Sequence, residues 1–471
     1  MREKSDFILK LFAFSIPFSA FGIINTGDFG IDITLLLAIL LVGKYVVDTL
    51  VLGRQIVADN IDKLILLFLG VAFFSEIIAV LSGPVDVYRM FKQIVLLAVY
   101  CILFLYLKSY LGRNLRSLLT CLRYYLFSAC FVMGFGLYQF LSGIFNLPYP
   151  HLFLRSFYNA SIAGERSLLI YRPGPDGFAR IESIFYEPGA LALFLLGCIP
   201  LFYCIASINV KFPFRKQLLN KTMFPLSIFI MMMTLSLAGY VGLCITVVIV
   251  VLSQAGARKI FKKLNLKIAK SIVLIFAIIA IVGVFLTSNK FMFRVHKIPV
   301  LKAQNFIQAI GKKAWRKEGK STIAVLQTLT ITSRIIRARP FLGTGYGNFK
   351  SYFDIYAPYW ALRNVNNIGG TSVFWRILSE TGIIGAVVFL WFFIVLLKKC
   401  HRVSKNVDKA NLYLLLEGVW LSLVCFGINF LFIRSGGINQ LQFWFLLALG
   451  GAISSLKLEK GEENEIRDYE R

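Results

Sequence analysis

A chain of 471 residues that is 58% hydrophobic, with a mean hydropathy of +0.72, falls outside the soluble globular class, so its length gives no domain count. Its formal net charge of +27 is gathered into short basic loops and one long basic stretch rather than spread over a water-facing surface. The eight cysteines fall in apolar runs or beside basic loops, and His151, His296 and His401 lack ligand spacing, which argues against a disulfide framework, a thiolate site or a histidine metal centre. Carboxylates remain as possible holders of a divalent cation.

Apolar runs long enough to cross a hydrocarbon core of about 30 Å recur along the chain. Twelve are read, near 8–26, 33–52, 63–82, 92–109, 118–142, 184–207, 222–238, 239–255, 271–288, 378–397, 411–433 and 438–456. The fold class is therefore an all-α polytopic membrane protein with about 12 transmembrane helices. Spans one to five occupy 1–143, a first outer loop 144–183, and spans six to nine 184–288. A second, basic outer loop follows over 289–371, then spans ten to twelve over 372–456 and a tail over 457–471. The pair meeting at Leu237-Ala238-Gly239 is either a hairpin of two spans or one long broken element, and the choice fixes the parity.

Charge favours the hairpin. With the N-terminus inside, the inner loops carry Lys108, Arg113 and Arg116, then Lys211, Arg215, Lys216 and Lys221. Further inner loops carry Arg258, Lys259, Lys262, Lys263, Lys267 and Lys270, and finally Lys398, Lys399, Arg402, Lys405 and Lys409. This positive-inside pattern predicts an inner-membrane protein with both termini in the cytoplasm. The first run lacks a small-residue cleavage site and reads as an anchor.

The first outer loop holds Pro148, Pro150, Pro173 and Pro175, so it reads as irregular. It ends in Arg180-Ile-Glu-Ser-Ile-Phe-Tyr-Glu187-Pro188-Gly189. Pro188 suits a first helical turn, and two readings stand for Glu187: a carboxylate complementing the helix N-terminus, or one placed to take a proton from a sugar hydroxyl.

The second outer loop is the basic one, with fourteen Lys and Arg between Asn289 and Gly370 against only Glu318 and Asp354. Beside a bilayer such a surface suits lipid phosphates and pyrophosphates. Helical stretches are expected over 301–316 and 321–337, lying on the membrane as basic amphipathic helices. Arg334, Arg337 and Arg339 follow, at offsets that no single helix face accommodates, though a turn at Arg339-Pro340 lets them converge on one anion. Gly343, Gly345, Gly347 and Asn348 then form a run whose backbone can approach a ligand, or a plain glycine-rich turn. A dinucleotide fingerprint is excluded, because no strand–helix unit surrounds the glycines, and no nucleic acid is expected as a partner.

Where the tenth span begins, Arg376 and Glu380 sit four apart and share a helix face. Lys44 with Asp48, and Glu76, Arg123 and Glu417, lie towards span ends or within reach of partners and read as structural.

In this order the motifs resemble the bacterial O-antigen polymerase and ligase family. The matching segments are R-x-x-S-x-F-x-E-P (Arg180 to Pro188), a loose L-[ST]-x-[ST] stretch (Leu235 to Gly239), P-F-L-G-x-G-Y-G-N-F (Pro340 to Phe349) and L-x-E-x-G-I-I-G (Leu378 to Gly385). The resemblance covers roughly residues 180 to 390. It implies a GT-C-like fold, no metal or other cofactor, and glycosyl transfer between lipid-linked sugars at the periplasmic face. The implied donor is an oligosaccharide on undecaprenyl pyrophosphate. The acceptor is another such unit in a polymerase, where a chain-length regulator is a possible partner, or the lipid A core in a ligase.

Family ligases carry a histidine at the position occupied here by Thr371, followed by Ser372, and this departure favours the polymerase branch. On that footing Glu187, then Glu380, are the candidate bases, and Arg180, Arg334, Arg337, Arg339 and Arg376 with the glycine run are candidate substrate contacts. A lipid-linked oligosaccharide flippase is the non-enzymatic rival, but it needs charges deep in several spans, whereas here they cluster in loops.

Overall fold

The computed structural model describes residues 2–456, apart from 149–180, 258–319, 358–371 and short stretches at 20, 27–28, 52–58, 146, 186, 209–211, 215, 408–409 and 434–439. Its first five helices are α1 (Arg2–Ser15), α2 (Ile33–Leu50), α3 (Asn60–Ser82), α4 (Val87–Leu111) and α5 (Leu115–Phe145). Then come α6 (Pro188–Ser207), α7 (Gln217–Met233), α8 (Leu237–Ala257) and α9 (Lys320–Ala338). The last three are α10 (Val373–Lys405), α11 (Ala410–Ile428), which continues as a π turn over Asn429–Ile433, and α12 (Leu441–Ser455). Among the described residues seven helices, α2 to α6, α10 and α11, are long and apolar enough to cross a membrane. The chain is thus a multi-pass membrane protein.

Two details, at the first and tenth runs, differ from the expected spans, while the paired runs form the hairpin that charge favours. The first run was expected to continue as one span to residue 26, but the helix ends at Ser15 with a single 3-10 turn over Ile16–Phe18. Its remainder forms β1 (Gly22–Thr26), paired antiparallel with β2 (Phe29–Asp32). Pro17 and Gly22 disfavour continued helix, and Gly27-Asp28 between two β-prone runs is hairpin chemistry. The paired runs at 222–255 are two helices, α7 and α8, separated by a bend in which Leu235 has φ +48°. The tenth span begins at Val373 and is broken at Gly382. The helix expected over 321–337 is α9; the run at 271–288 and the stretch 301–316 lie outside the described residues.

Helices α6 and α12 are apolar all round and buried almost throughout, which makes them interior elements. The outer helices instead expose large apolar side chains such as Leu40, Leu67, Phe73 and Trp391, as lipid contact requires. Interior packing is largely aromatic: Phe68 meets Phe389 at 5.0 Å, Phe104 meets Phe392 at 5.5 Å, and Phe430 meets Phe443 at 4.8 Å between ring centroids. Lipid tails are as apolar as these rings, so close fit and interhelical hydrogen bonds must hold the bundle together. Buried Gln442 of α12 illustrates this, donating to the Tyr125 hydroxyl of α5 (2.8 Å) and to the Phe194 carbonyl of α6 (3.0 Å).

One end of the bundle is closed by charge. Lys108, in the last turn of α4, reaches Asp59 at 2.7 Å and Asp62 at 2.6 Å, while Lys399 of α10 reaches Asp59 at 3.2 Å. Asp59 also caps α3 in a reciprocal capping box with Asp62. Burial works to raise the Asp59 carboxyl, but the ammonium groups of Lys108 and Lys399 hold it down at about 2. Its contribution to stability is therefore present above the usual carboxylate range and lost as pH falls towards 2.

Lys108→Ala strands buried Asp62 without its cation, so it should cost about 3–5 kcal/mol, read as a fall in thermal unfolding temperature of purified protein in detergent. Lys108→Met combined with Asp59→Asn and Asp62→Asn should recover most of that loss, since the pair is removed rather than halved. An unchanged unfolding temperature in Lys108→Ala would show that this end is not held by charge.

Candidate functional site

At the opposite end from the charge closure, α9, the glycine-rich segment and α10 form a single joint. Helix α9 buries Thr328, Ile331, Thr332 and Ile335, spaced as one helical face, and so leaves Arg334 and Arg337 exposed together one turn apart. The Arg334 guanidinium donates to the Tyr356 carbonyl (3.1 Å), a surface contact. The chain turns at Arg339-Pro340, and Arg339 is directed elsewhere: it donates to the Ser82 hydroxyl (2.9 Å) and carbonyl (2.8 Å) and lies 5.0 Å above the Tyr352 ring. Two of the predicted arginines therefore share a face, and the third fastens the segment to the end of α3.

Gly343, Gly345 and Gly347 all have positive φ, at 64°, 89° and 81°. The segment from Gly343 to Phe349 is buried, wedged between α3, α4 and α10. A Cβ at Gly345 would lie 2.7 Å from Ala79 Cβ, and one at Gly347 would lie 2.7 Å from Gln93 Cβ. A Cβ at Gly343 would collide with the Ser379 carbonyl. The glycines let the segment lie directly on three helices, against the Ala79 and Gln93 side chains and the Ser379 carbonyl. Asn348 locks the turn: its amide donates to Pro84 (3.1 Å) and Thr344 (3.0 Å) carbonyls and its oxygen accepts from Asp86 N–H (3.4 Å).

The segment is held where α10 is broken. Gly382 has φ +68° inside the helix, which frees polar groups on both sides of it. The Pro340 carbonyl accepts from Ile383 N–H (2.8 Å), and the Thr344 N–H donates to the Ser379 carbonyl (3.0 Å). From α3, the Ser75 hydroxyl reaches the Leu342 (2.5 Å) and Glu380 (2.8 Å) carbonyls. Irregular backbone at membrane depth is tolerated when protein satisfies it, as here.

Glu380 and Arg376, which the sequence places four apart, meet as a buried ion pair at 3.0 Å. Glu76 of α3 and Arg89 of α4, both beside this pair, share its electrostatic field. Sequence reading assigned Glu76 a structural role and did not single out Arg89. The available signal was an ionisable residue in an apolar run, the default mark of function in a span.

A second joint forms where α6 begins. Residues Ile181 to Phe185 are buried, and Gln139 of α5 accepts from the N–H groups of Glu182 (3.0 Å) and Ser183 (2.8 Å). The Ser183 hydroxyl donates to the Val132 carbonyl (2.7 Å), and Ile181 N–H donates to Met233 at the end of α7 (3.1 Å). Ser183 and Leu235 are both held at positive φ, 53° and 48°. Such conformations cost about 1–3 kcal/mol each and collect at functional sites. The Arg180–Pro188 and Leu235–Gly239 motifs are thus two sides of one packed unit. Glu187 occupies the N-cap position of α6, half-buried, and its side chain makes no capping hydrogen bond. The simple capping role is absent. Pro188 sits in the first turn, as its fixed φ predicts.

Arg180 and Thr371 lie outside the described residues. Among the described residues no group of three or more His, Cys, Asp or Glu is arranged to hold a metal ion.

Gly382→Ala should disrupt the α9–α10 joint, because the new methyl meets the Phe341 carbonyl and the φ of +68° disfavours any side chain. The expected result is a lower unfolding temperature and new protease cleavage within 339–348; wild-type resistance to both would contradict the described break in α10.

Comparison with known proteins places these elements in a family. Residues 222–390 match Wzy_C, described as O-Antigen ligase, so the chain carries a domain of the O-antigen ligase and polymerase family. The match runs from α7 into α10, taking in α9 and the glycine segment and leaving α3, α4 and Glu187 outside. Members of this family transfer glycans, and the match does not separate ligases from polymerases. No curated protein matches the chain.

Proposed function

We propose that this protein is a polysaccharide polymerase that joins undecaprenyl-pyrophosphate-linked repeat units at the periplasmic face of the bacterial inner membrane. The observation that carries this reading is the exposed pair Arg334 and Arg337 on one face of α9, at the end of the bundle where the glycine segment is seated. Guanidinium groups stay charged and bind phosphate oxygens bidentately, which suits the leaving group of this reaction. The family match supports glycan transfer, and Thr371 in place of the ligase histidine supports the polymerase branch.

In the proposed reaction a hydroxyl oxygen of the incoming repeat unit attacks the anomeric carbon of the growing chain. The bond from that carbon to the pyrophosphate oxygen breaks, and undecaprenyl pyrophosphate leaves with the electron pair. Arg334 and Arg337 meet the developing negative charge, and Glu187 accepts the hydroxyl proton. Arg339 and Asn348 fix the segment that carries this face; their described contacts are to α3 and the α3–α4 connection. Of the two candidate bases Glu187 is preferred, because Glu380 is buried and paired with Arg376, whereas Glu187 stands half-buried at the start of α6. Arg376 then serves mainly to hold Glu380, and Arg180 orients the glycan or a second phosphate.

The test is reconstitution in liposomes with one synthetic undecaprenyl-pyrophosphate repeat unit as both donor and acceptor, with chelator, and products resolved by size. A ladder of multiples is expected. Arg334→Glu should abolish it with protein still in the membrane, and Arg337→Ala should slow it by about 10²–10³ if it acts as one charge-stabilising donor. Glu187→Gln should lower the rate by about 10²–10⁴, the range for losing a general base. Transfer only when lipid A core is supplied would make the protein a ligase, and normal chains from Arg334→Glu would end the assignment of the arginines.

A further inference from the structure

The exposed arginine face of α9 is not held by α9 alone. Beyond the glycine segment the chain makes a 3-10 turn over Phe349–Tyr352 that runs into a single helical turn over Phe353–Tyr356. Phe349 and Tyr352 close on Ile331 and Ile335 of α9, and among the described residues these form an apolar cluster separate from that of the bundle. Phe353, Tyr356 and Ala357 pack against it. The arginine face and this short segment therefore form one body.

Within that body, side chains form a series that leads outward from the end of α3. Arg339, bonded to the Ser82 hydroxyl and carbonyl, has its guanidinium 5.0 Å from the centroid of the Tyr352 ring. Tyr352 is 2% exposed and stacks on Tyr356 at 6.1 Å, with 17° between the ring planes. Positions four apart in helical backbone share a face, which sets the two rings side by side. Tyr356 is only half-buried, so it is the outer ring of the series. Its backbone carbonyl is the one that accepts from Arg334 (3.1 Å). A partly exposed aromatic ring, backed by a buried one, thus stands next to the guanidinium assigned above to pyrophosphate.

We propose that Tyr356 is a substrate-binding residue whose ring stacks on the first sugar of the lipid-linked chain. The proposal rests on the reading of Arg334 as a pyrophosphate contact. Its chemistry follows from connectivity. In a sugar pyrophosphate a single oxygen joins the anomeric carbon to the nearer phosphorus, so a group that holds this phosphate has the sugar ring beside it. A pyranose presents C–H groups of slight positive charge on its faces, and the face of an aromatic ring is negative. Tyrosine has few rotatable bonds, and this ring is already stacked on Tyr352, so little freedom is lost on binding. Arg334 carries a fork of N–H donors and, among the described residues, uses Nη1 on the Tyr356 carbonyl, so it can bond phosphate oxygens from the same seat. Charge is read by Arg334 and the sugar ring by Tyr356.

The test measures binding of two probes to purified full-length protein in nanodiscs. One is undecaprenyl pyrophosphate, and the other is the same lipid carrying a single N-acetylhexosamine. Tyr356→Leu keeps an apolar side chain against Tyr352 but removes the ring. It should weaken binding of the sugar-bearing lipid by about 3- to 10-fold, the range for one aromatic contact, and leave the bare lipid unchanged. Tyr356→Phe keeps the ring face and should bind both probes like the wild type, while Arg334→Ala should weaken both. In Tyr356→Trp the added indole emission should shift when the sugar-bearing lipid binds, a signal available even if Tyr356→Leu does not fold. An equal loss for both lipids in Tyr356→Leu would show that the residue acts only by seating Arg334, and would overturn the proposal. Unchanged binding of both in Tyr356→Leu, a selective loss in Tyr356→Phe, or indole emission that shifts with neither probe would overturn it too. In each of these cases the arginine reading stands. Arg334→Ala that weakens neither probe, or wild type that binds neither, would instead end the pyrophosphate reading and take the Tyr356 proposal with it.

Discussion

The break in α10 at Gly382 is the constraint on which the arrangement of this end of the protein depends. An intact helix would satisfy its own backbone and could cross the membrane without help. Broken at φ +68°, it leaves polar groups that only neighbouring protein can meet, and Pro340, Phe341, Thr344 and Ser75 are the residues that do so. The glycine segment is therefore placed by a hydrogen-bonding requirement of α10. Because α9 runs directly into that segment, the same requirement fixes where Arg334 and Arg337 are displayed. A helix lying free on the membrane surface would not hold two guanidinium groups in register with anything beneath them.

The two ends of the bundle are stabilised differently. At one, two ammonium groups meet two carboxylates, and the ionised forms suit each other. At the other, buried Glu380 is paired with half-buried Arg376, and backbone at positive φ is held by packing. The first arrangement fastens α3, α4 and α10 firmly. The second keeps apart a set of groups that is less stable by itself, which is the kind of place where local opening costs least. In the proposed reaction, the site that admits and releases a lipid-linked polymer lies at the second end.

Much of the fold was legible in the sequence, and the reasons are specific. Runs such as 63–82 and 411–433 are apolar beyond anything a soluble core needs, so their helices appear where expected. Pro188 marks the start of α6 through its fixed φ, and the offset of four between Arg376 and Glu380 gives the ion pair directly. The joints were not legible, because their residues bond across long stretches of sequence, from 43 positions for Gln139 with Glu182 to 267 for Ser75 with Leu342. Glycines read either as an approach to a ligand or as a plain turn have Ala79, Gln93 and Ser379 packed against them. The pattern announces close approach without naming what approaches. For the same reason three arginines within six residues read as one cluster, although helical geometry separates Arg339 from the other two.

In the proposed reaction, that separation bears on how a growing chain is handled. Arg339 is bound twice to Ser82 and stacked on Tyr352, and Arg376 is buried against Glu380, so moving either would break several contacts at once. Arg334 and Arg337 are exposed, and the single described side-chain bond, from Arg334 to a carbonyl, is of a kind whose net worth in water is only about 1 kcal/mol. Exposed guanidinium groups can follow a pyrophosphate as it arrives, changes charge and departs, while the fixed ones keep the platform in place. Binding that is too tight would trap the spent lipid carrier, and salt-screened surface contacts avoid that. Placing the mobile cations on a helix whose far side is immobilised reconciles firm positioning of the site with turnover of a charged product.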